Sequence, residues 1–267
     1  LKSSLLPDFW RVNTDNDDWD SENNVWKDAA SKMKVLQVTA EPVAAVSKRI
    51  KQYGQIKVHI KTQFTVSDKP QHTIFFDTDY TVYADGTIRV DNYFTPNYYN
   101  GESNMSIPRI GQVANINSEL SLAQWYGRGP WENYSDRKTA ALVGRYEVPV
   151  CELPYSYIRP QENGYRTDVR WLQLKSPDGH TLKVTGEPIF CFNIQFTGQN
   201  GYFTKEGTRM RSSVDMVEEK DYYLNIDYAQ KGVGGDNSWG KPVHSEYLVL
   251  LRYHAYSFWL QPELLPF

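Results

Sequence analysis

From Val35 onward apolar and polar side chains alternate with a period of two. Ile56, Val58, Ile60, Phe64 and Val66 fall on one face of such a ribbon, and Lys57, His59, Lys61, Gln63 and Thr65 on the other. This pattern predicts a half-buried antiparallel strand. Phe76 to Tyr83 and Thr87 to Tyr93 flank Ala84-Asp85-Gly86, where Asp-Gly supplies the positive φ values of a two-residue hairpin turn. Ser176-Pro177-Asp178-Gly179 repeats the device between 170–174 and 181–184. Further strands are expected at 110–117, 122–126, 189–196, 213–217, 222–227, 246–252 and 255–260. One segment has a helical period, a short helix capped by Asn24 and running through Val25, Trp26, Ala29 and Met33. Strand runs outnumber helical ones, turn signals are closely spaced and no βαβ alternation occurs. The reading is therefore all-β and antiparallel, two large sheets packed as a sandwich in one domain, 1–267. Irregular loops at 95–109, 127–137, 159–166, 198–210 and 229–243 carry its surface.

Composition adds a lean towards a wet binding face. Aromatics make up 14% of the 267 residues, with 19 Tyr and 8 Trp, and these side chains suit both strands and the faces of sugar rings. A net charge of −3 supplies no basic field for nucleic acid or an anionic membrane. No run approaches the ~18 apolar residues of a membrane span. The chain starts at Leu1, which reads as a cut point, without a basic-then-apolar leader. A soluble protein is expected, with cytoplasm and periplasm both open. Cys151 and Cys191 are expected as free, buried thiols. Asn104-Met105-Ser106 and Asn133-Tyr134-Ser135 match the glycosylation pattern, which has meaning only in a secretory context.

The stretch richest in possible chemistry is Gly232-Val233-Gly234-Gly235-Asp236-Asn237-Ser238-Trp239-Gly240. Four glycines in nine residues favour a shaped loop with positive φ angles, and the side chain most worth presenting is Trp239, an indole with one flat apolar face and one N–H donor. The plainer reading makes it a hairpin end whose aromatic folds back as a lid on the core. A phosphate loop is excluded. Gly235, Gly240 and Lys241 have its spacing, but Pro242 lacks the hydroxyl and 246–251 reads as strand where a helix is required.

Two acidic motifs stand out, Glu132-Asn133 with Arg137 and Glu162-Asn163 with Arg166. Two glutamates held close together would suit a glycosidase acid and nucleophile. Arginine forks from Arg137, Arg166 or Arg170 would instead lower both pKa values and make the glutamates structural anions, the reading favoured here. Asp15 and Asp17 alternate like calcium ligands, but Trp19 holds the next ligand position and neither the glycine nor the closing Glu follows. Histidines 59, 72, 180, 244 and 254 show no zinc spacing.

Four motifs in fixed order carry a resemblance: Phe9-Trp10-Arg11 with Thr14-Asp15-Asn16-Asp17; Gly127-x-Gly129-Pro130-x-Glu132-Asn133-Tyr134-x-Asp136-Arg137; Pro160-x-Glu162-Asn163-Gly164-x-Arg166; and Gly234-Gly235-Asp236-x-Ser238-Trp239. Over essentially its whole length the chain resembles the C-terminal small-chain domain of glycoside hydrolase family two β-galactosidases. Trp131 and Arg159 fill variable slots, and the tail 261–267 runs past the usual end.

The resemblance implies a supersandwich of the galactose-mutarotase-like type. It implies that the catalytic glutamates and a Mg2+ site lie on a separate (β/α)8 barrel that is the domain's partner in a parent that can be homo-oligomeric. No catalytic residue, cofactor or metal is then expected on this chain. Trp239 matches a rim tryptophan that stacks on the β-galactoside, with Asp236, Asn237 and Ser238 beside it. Arg11, Asp15, Asp17, Glu132, Asn133, Asp136, Arg137, Glu162, Asn163 and Arg166 become structural. Two other functions stay open, a stand-alone carbohydrate-binding module using the same tryptophan and, by fold analogy alone, an aldose-1-epimerase-like enzyme.

Overall fold

The computed structural model describes residues 1–19, 21–43, 55–66, 73–97, 105–237 and 241–264. Its strands are β1 (Leu6–Asp8), β2 (Lys34–Pro42), β3 (Ile56–Thr65), β4 (Thr73–Val82), β5 (Ile88–Asn97), β6 (Arg109–Ile116), β7 (Leu122–Gly129), β8 (Leu142–Pro149), β9 (Arg166–Lys175), β10 (His180–Gln195), β11 (Tyr222–Gln230) and β12 (His254–Leu264). All pairings are antiparallel. No helix among the described residues is long and apolar enough to cross a membrane.

The two expected sheets are branches of one hydrogen-bonded network, and the branch point is β10. Along one edge, its first half pairs with β12, from His180 opposite Leu264 to Glu187 opposite Ser257. Its second half pairs with β11, from Cys191 opposite Asp227 to Gln195 opposite Tyr223. One layer then continues as β12-β5-β4-β3-β2 and the other as β11-β6-β1. The opposite edge of β10 carries β9, then β7 and β8. The change of partner follows Gly186, where a Cβ would stand 2.9 Å from the Ile189 Cα, so the strand bends onto itself as only glycine allows.

Alternation builds the core from this register. One row of facing residues crosses nine strands: Pro42, Ile56, Val82, Ile88, Leu260, Val184, Leu172, Trp125 and Tyr146. Leu260, Val184, Leu172 and Trp125 are buried, whereas Ile56 is 51% exposed, so the apolar face outruns its cover at the β2 edge. Phe9, just after β1, fills the centre. Its ring lies 4.9 to 6.2 Å from those of Trp26, Phe64, Phe76 and Phe94, three of them at edge-on angles above 60° to strand aromatics.

Several local expectations are corrected. Both Asp-Gly turns hold three residues, not two: Tyr83 N–H donates to Thr87 O and Ser176 N–H to His180 O, with Gly86 (φ 85°) and Gly179 (φ 89°) taking the left-handed position. The helix expected from Asn24 to Met33 is a single turn at Ser21–Asn24 followed by hydrogen-bonded turns, because Trp26 is pulled into the core with its indole N–H on Ser106 O. Residues 213–217 and 246–252 are not strands. Ser213–Asp215 is a 3-10 turn, and 246–252 starts as one and then makes a lone bridge between Leu250 and Ser106. Strand β8 went unread because it is an edge strand whose inward positions are Gly144, Tyr146 and Val148, too few apolar residues to mark a period.

The position of Phe9 sets a test. Phe9→Ala should cost about 3 to 5 kcal/mol in urea unfolding, and a loss under about 1 kcal/mol would show that the four-ring contact is not the centre of the core.

Candidate functional site

A glycine-rich segment has few side chains to hold it, so its position must come from its neighbours. The leg 231–236 that leaves β11 is fixed at almost every residue. Arg11 is fully buried, and all five of its N–H donors are used. Two go to Asp17 at 3.0 Å each, one reaches Gln230 Oε1 at 3.4 Å, one goes to Lys231 O, and one goes to Gly232 O at 2.7 Å. Burial opposes both charges, but the Arg11–Asp17 attraction outweighs it, so the guanidinium is held above its usual range and the carboxyl below. Thr14 and Asp17 cap each other's N–H groups at 3.0 and 3.2 Å.

Asp136 grips the next two residues, accepting from Val233 N–H at 3.1 Å and Gly234 N–H at 2.7 Å. Asn16 Nδ2 donates to Val233 O at 3.2 Å, and Gly232 N–H donates to Tyr247 O at 3.0 Å. The glycines are explained by close approach and not by the positive φ expected: none of Gly232, Gly234 and Gly235 is left-handed. A Cβ on Gly232 would lie 2.6 Å from the Asp136 carboxyl carbon, and one on Gly235 would strike Lys241 O. Gly235 and Lys241 thus form a neck, and beside it exposed Asp236 meets His244 Nε2 at 2.7 Å, a bond that raises the imidazole pKa. Trp239 and Ser238 lie outside the described residues. Asp236 and Asn237 stand at the exposed approach to that tip.

Both acidic motifs are tied into the fold by hydrogen bonds. Glu132 accepts from Arg137 at 2.6 Å, from Tyr157 OH, and from Gly164 N–H at 2.7 Å. Glu162 accepts from Asn193 at 2.8 Å, Gln230 at 3.2 Å and Arg109 at 3.2 Å. With every carboxylate oxygen occupied, neither is placed to move a proton on a ligand. The expected partner and pKa direction fail for Glu162. Its arginine is Arg109, and burial outweighs Arg109 and Arg11 to raise its pKa. Arg166 donates to the carbonyls of Leu153, Gly164 and Pro130, and burial brings it down to about 10. Asn133 Oδ1 accepts both Thr167 donors, at 3.0 and 2.6 Å, and Asn163 Oδ1 accepts Tyr155 N–H at 3.0 Å. Tyr134 and Tyr165, one from each motif, stack at 5.5 Å. Asp15 is exposed and pairs with Arg159 at 2.8 Å and Arg209 at 3.1 Å.

The sequence reading missed the charge centre behind this scaffold. Buried Arg109 meets Asp8 at 2.9 Å, Glu162 at 3.2 Å and Asp227 at 3.1 Å. Burial outweighs Arg109 at Asp227 and pushes that carboxyl up to about 8. The available signal was alternation itself. Asn225 and Asp227 sit in the polar phase of β11, which a single strand assigns to water. Cys151 and Cys191 are both free, as expected, but Cys151 is exposed and Cys191 half-buried. Among the described residues no group of three or more His, Cys, Asp or Glu is arranged to hold a metal.

Comparison with known proteins finds relatives along almost the whole chain. The family model described as beta galactosidase small chain matches residues 1–260. A beta-galactosidase of Priestia megaterium is 30% identical over 266 residues, 98% of this chain and 24% of that protein. One of Vibrio cholerae is 37% identical over 155 residues, 58% of this chain and 14% of that protein. The chain therefore spans about a quarter of the length of the curated relatives that it matches most fully. Among solved structures, a GalM/aldose epimerase homologue from C. elegans gives a TM-score of 0.41 at 11% identity, covering 85% of this chain and 69% of that one. Likeness at this level leaves the architecture to be argued from the strands themselves.

Two outcomes follow from the charges. Asp136→Ala removes an anion from two leg amides, worth about 2 kcal/mol locally. Hydrogen exchange at Val233 and Gly234 should quicken about 30-fold, and unchanged exchange would show that the leg is held otherwise. A carboxyl whose folded pKa is raised stabilises the fold below its unfolded value, and that contribution is lost as pH rises through the folded pKa. The Asp227 contribution to urea stability should therefore fall as pH rises from about 4, the ordinary aspartate value, and level off above the folded value of about 8. Asp227→Asn should flatten that fall, and an equally steep decline in the variant would remove Asp227 as its source.

Proposed function

The chain belongs to the beta galactosidase small chain family, and on that premise we propose that it is the C-terminal domain of a retaining β-galactosidase, one that hydrolyses terminal β-D-galactosides. Its part is to complete the substrate pocket from the rim. The observation that carries the reading is the leg, whose irregular backbone is gripped by Arg11, Asp136 and Asn16 and leads directly to Trp239. An indole a few residues beyond a fixed leg suits a sugar platform, because an aromatic side chain is ordered at little entropic cost.

The rest of the polypeptide holds the chemistry in this reading. The acid and nucleophile glutamates and the Mg2+ belong to the barrel, which supplies proton transfer and the covalent step. This chain orients the sugar and helps to exclude water. The full engagement of Glu132 and Glu162 supports that division, as does the share of the relatives' length that the chain spans. Packing of this single domain against the barrel is supported by apolar side chains left in water. Trp131 is 74% exposed, Ile158 86% and Val214 88%, and Ser213 N–H ties the last two segments together through Ile158 O. The Tyr98–Tyr99 pair also suggested for this role lies outside the described residues.

In the full-length enzyme Trp239→Ala removes roughly 100 Å² of stacking, about 2.5 kcal/mol at ~25 cal/mol per Å². Affinity for galactosides should drop about 50-fold. Wild-type KM and inhibitor binding in that variant would end the platform role. The isolated chain should show no galactosidase turnover, and turnover abolished by Glu132→Gln or Glu162→Gln would place the catalytic groups here after all.

A further inference from the structure

Strand β2 closes the layer β12-β5-β4-β3-β2, and among the described residues β3 is the only strand that pairs with it. An edge strand offers a row of backbone donors and acceptors to any chain that can lie beside it, and short length, lysine or proline usually blunts that offer. β2 is nine residues long, every one of them exposed except half-buried Thr39, and its Lys34 and Pro42 stand only at the two ends. The stretch between them is open. Val43 N–H donates to Gln55 O. By the alternation of an antiparallel ladder, Glu41 and Thr39 then turn their backbone groups to β3, while Ala40 and Val38 turn theirs away from it.

The two faces of β2 differ in kind. Val35, Val38 and Ala40 stand opposite Thr62, Ile60 and Val58, in rows that continue to Phe76, Thr78 and Tyr80 on the core side of the layer. Val35 is 55% exposed and Val38 59%, so this apolar face ends uncovered. Lys34, Gln37, Thr39 and Glu41 stand on the outer face, opposite Gln63, Lys61, His59 and Lys57. Lys34 and Glu41 are an odd number of residues apart and would ordinarily point to opposite faces. They share one because the register slips at Leu36, where Val35 is opposite Thr62 and Gln37 already opposite Lys61. With that bulge the strand is complementary to its own reverse. Counted outwards from Val38, Thr39 matches the Leu36-Gln37 bulge, Ala40 matches Val35, and Glu41 matches Lys34.

We propose that β2 pairs with β2 of a second copy of this chain, antiparallel about a two-fold axis at Val38, so that one sheet runs through both molecules. The two Val38 residues exchange backbone N–H···O bonds on the axis. On the outer face Lys34 of each copy meets Glu41 of the other, and on the inner face Val38 meets its own counterpart and Val35 meets Ala40, which lets each uncovered apolar face continue into the next. A two-fold contact must be self-complementary, whereas an edge that receives an unrelated strand need not be. The match of both charge and polarity about Val38 is what selects a second copy as the occupant.

Sedimentation of the full-length protein over a range of concentrations tests the pairing. Val38→Pro removes the N–H that faces the partner and leaves the bonds to β3 in place. It should raise the dissociation constant of the assembly about ten-fold or more. Lys34→Glu and Glu41→Lys each set like charges opposite one another in both halves of the contact, and each should weaken it about five-fold. The double variant Lys34→Glu/Glu41→Lys restores both pairs and should recover the wild-type constant. All of these positions are exposed, so the fold should survive each change. Wild-type protein that stays monomeric, or self-association indifferent to Val38→Pro, overturns the proposal. So do single charge changes whose effect the double variant does not recover, the result expected if another part of the polypeptide covers β2. No substrate enters the measurement, so it stands or falls apart from the galactoside reading.

Discussion

A guanidinium taken wholly out of water is tolerable only if each of its five N–H groups finds an acceptor, and Arg11 meets that condition with acceptors drawn from opposite ends of the chain. Asp17 neutralises it and fixes its plane. The donors left over point at Gln230, Lys231 and Gly232, so the end of β11 and the start of the leg are placed by a residue more than two hundred positions earlier. Removing any one acceptor would strand part of a buried cation. That is why the leg can be rich in glycine and still be well determined.

The same logic extends inward as one polar chain. Gln230 accepts from Arg11 through Oε1 and donates through Nε2 to Glu162, which accepts from Arg109, which in turn meets Asp8 and Asp227. Low local polarity strengthens each of these bonds and makes each vacancy expensive. Three carboxylates around one arginine cannot all be comfortably ionised, and the raised pKa values of Glu162 and Asp227 are the consequence. The loop pedestal and the charge centre are therefore mechanically joined through Gln230 and Glu162.

The sequence was most legible where physics is local. Alternation located β3, β4 and β5, and Asp-Gly marked both turns, while the count of turn residues depended on strand pairing that no local pattern contains. The apparent helix around Trp26 failed because one indole packing on Phe9 outweighs a weak period over ten residues. A glutamate beside an arginine advertises a pair, and Glu132 with Arg137 forms one. Which arginine is a tertiary fact, and Arg109 lay hidden as one residue at the head of a strand run. Asn225 and Asp227 were not singled out, because alternation tells a strand which side is polar and says nothing about whether another segment covers it.

Local sequence left two fates for the glycine-rich loop, a lid folded on the core or a platform presented outward, and the surroundings of the leg bear on the choice. A lid needs an apolar floor to receive its aromatic. The hollow beside the leg is lined instead by Thr14, Asp15, Asn16, Arg137, Gln161 and Glu162 among others, with Tyr134, Tyr157 and Val233 as its less polar members. The bonds that hold the leg are likewise all polar. Such a base offers an aromatic no apolar floor. The glycines complete the argument, since their work is to let the backbone lie against Asp136 and the Lys241 carbonyl. A side chain at Gly232 or Gly235 would push the leg away from these contacts, so the fixed course of 231–236 depends on their being glycine.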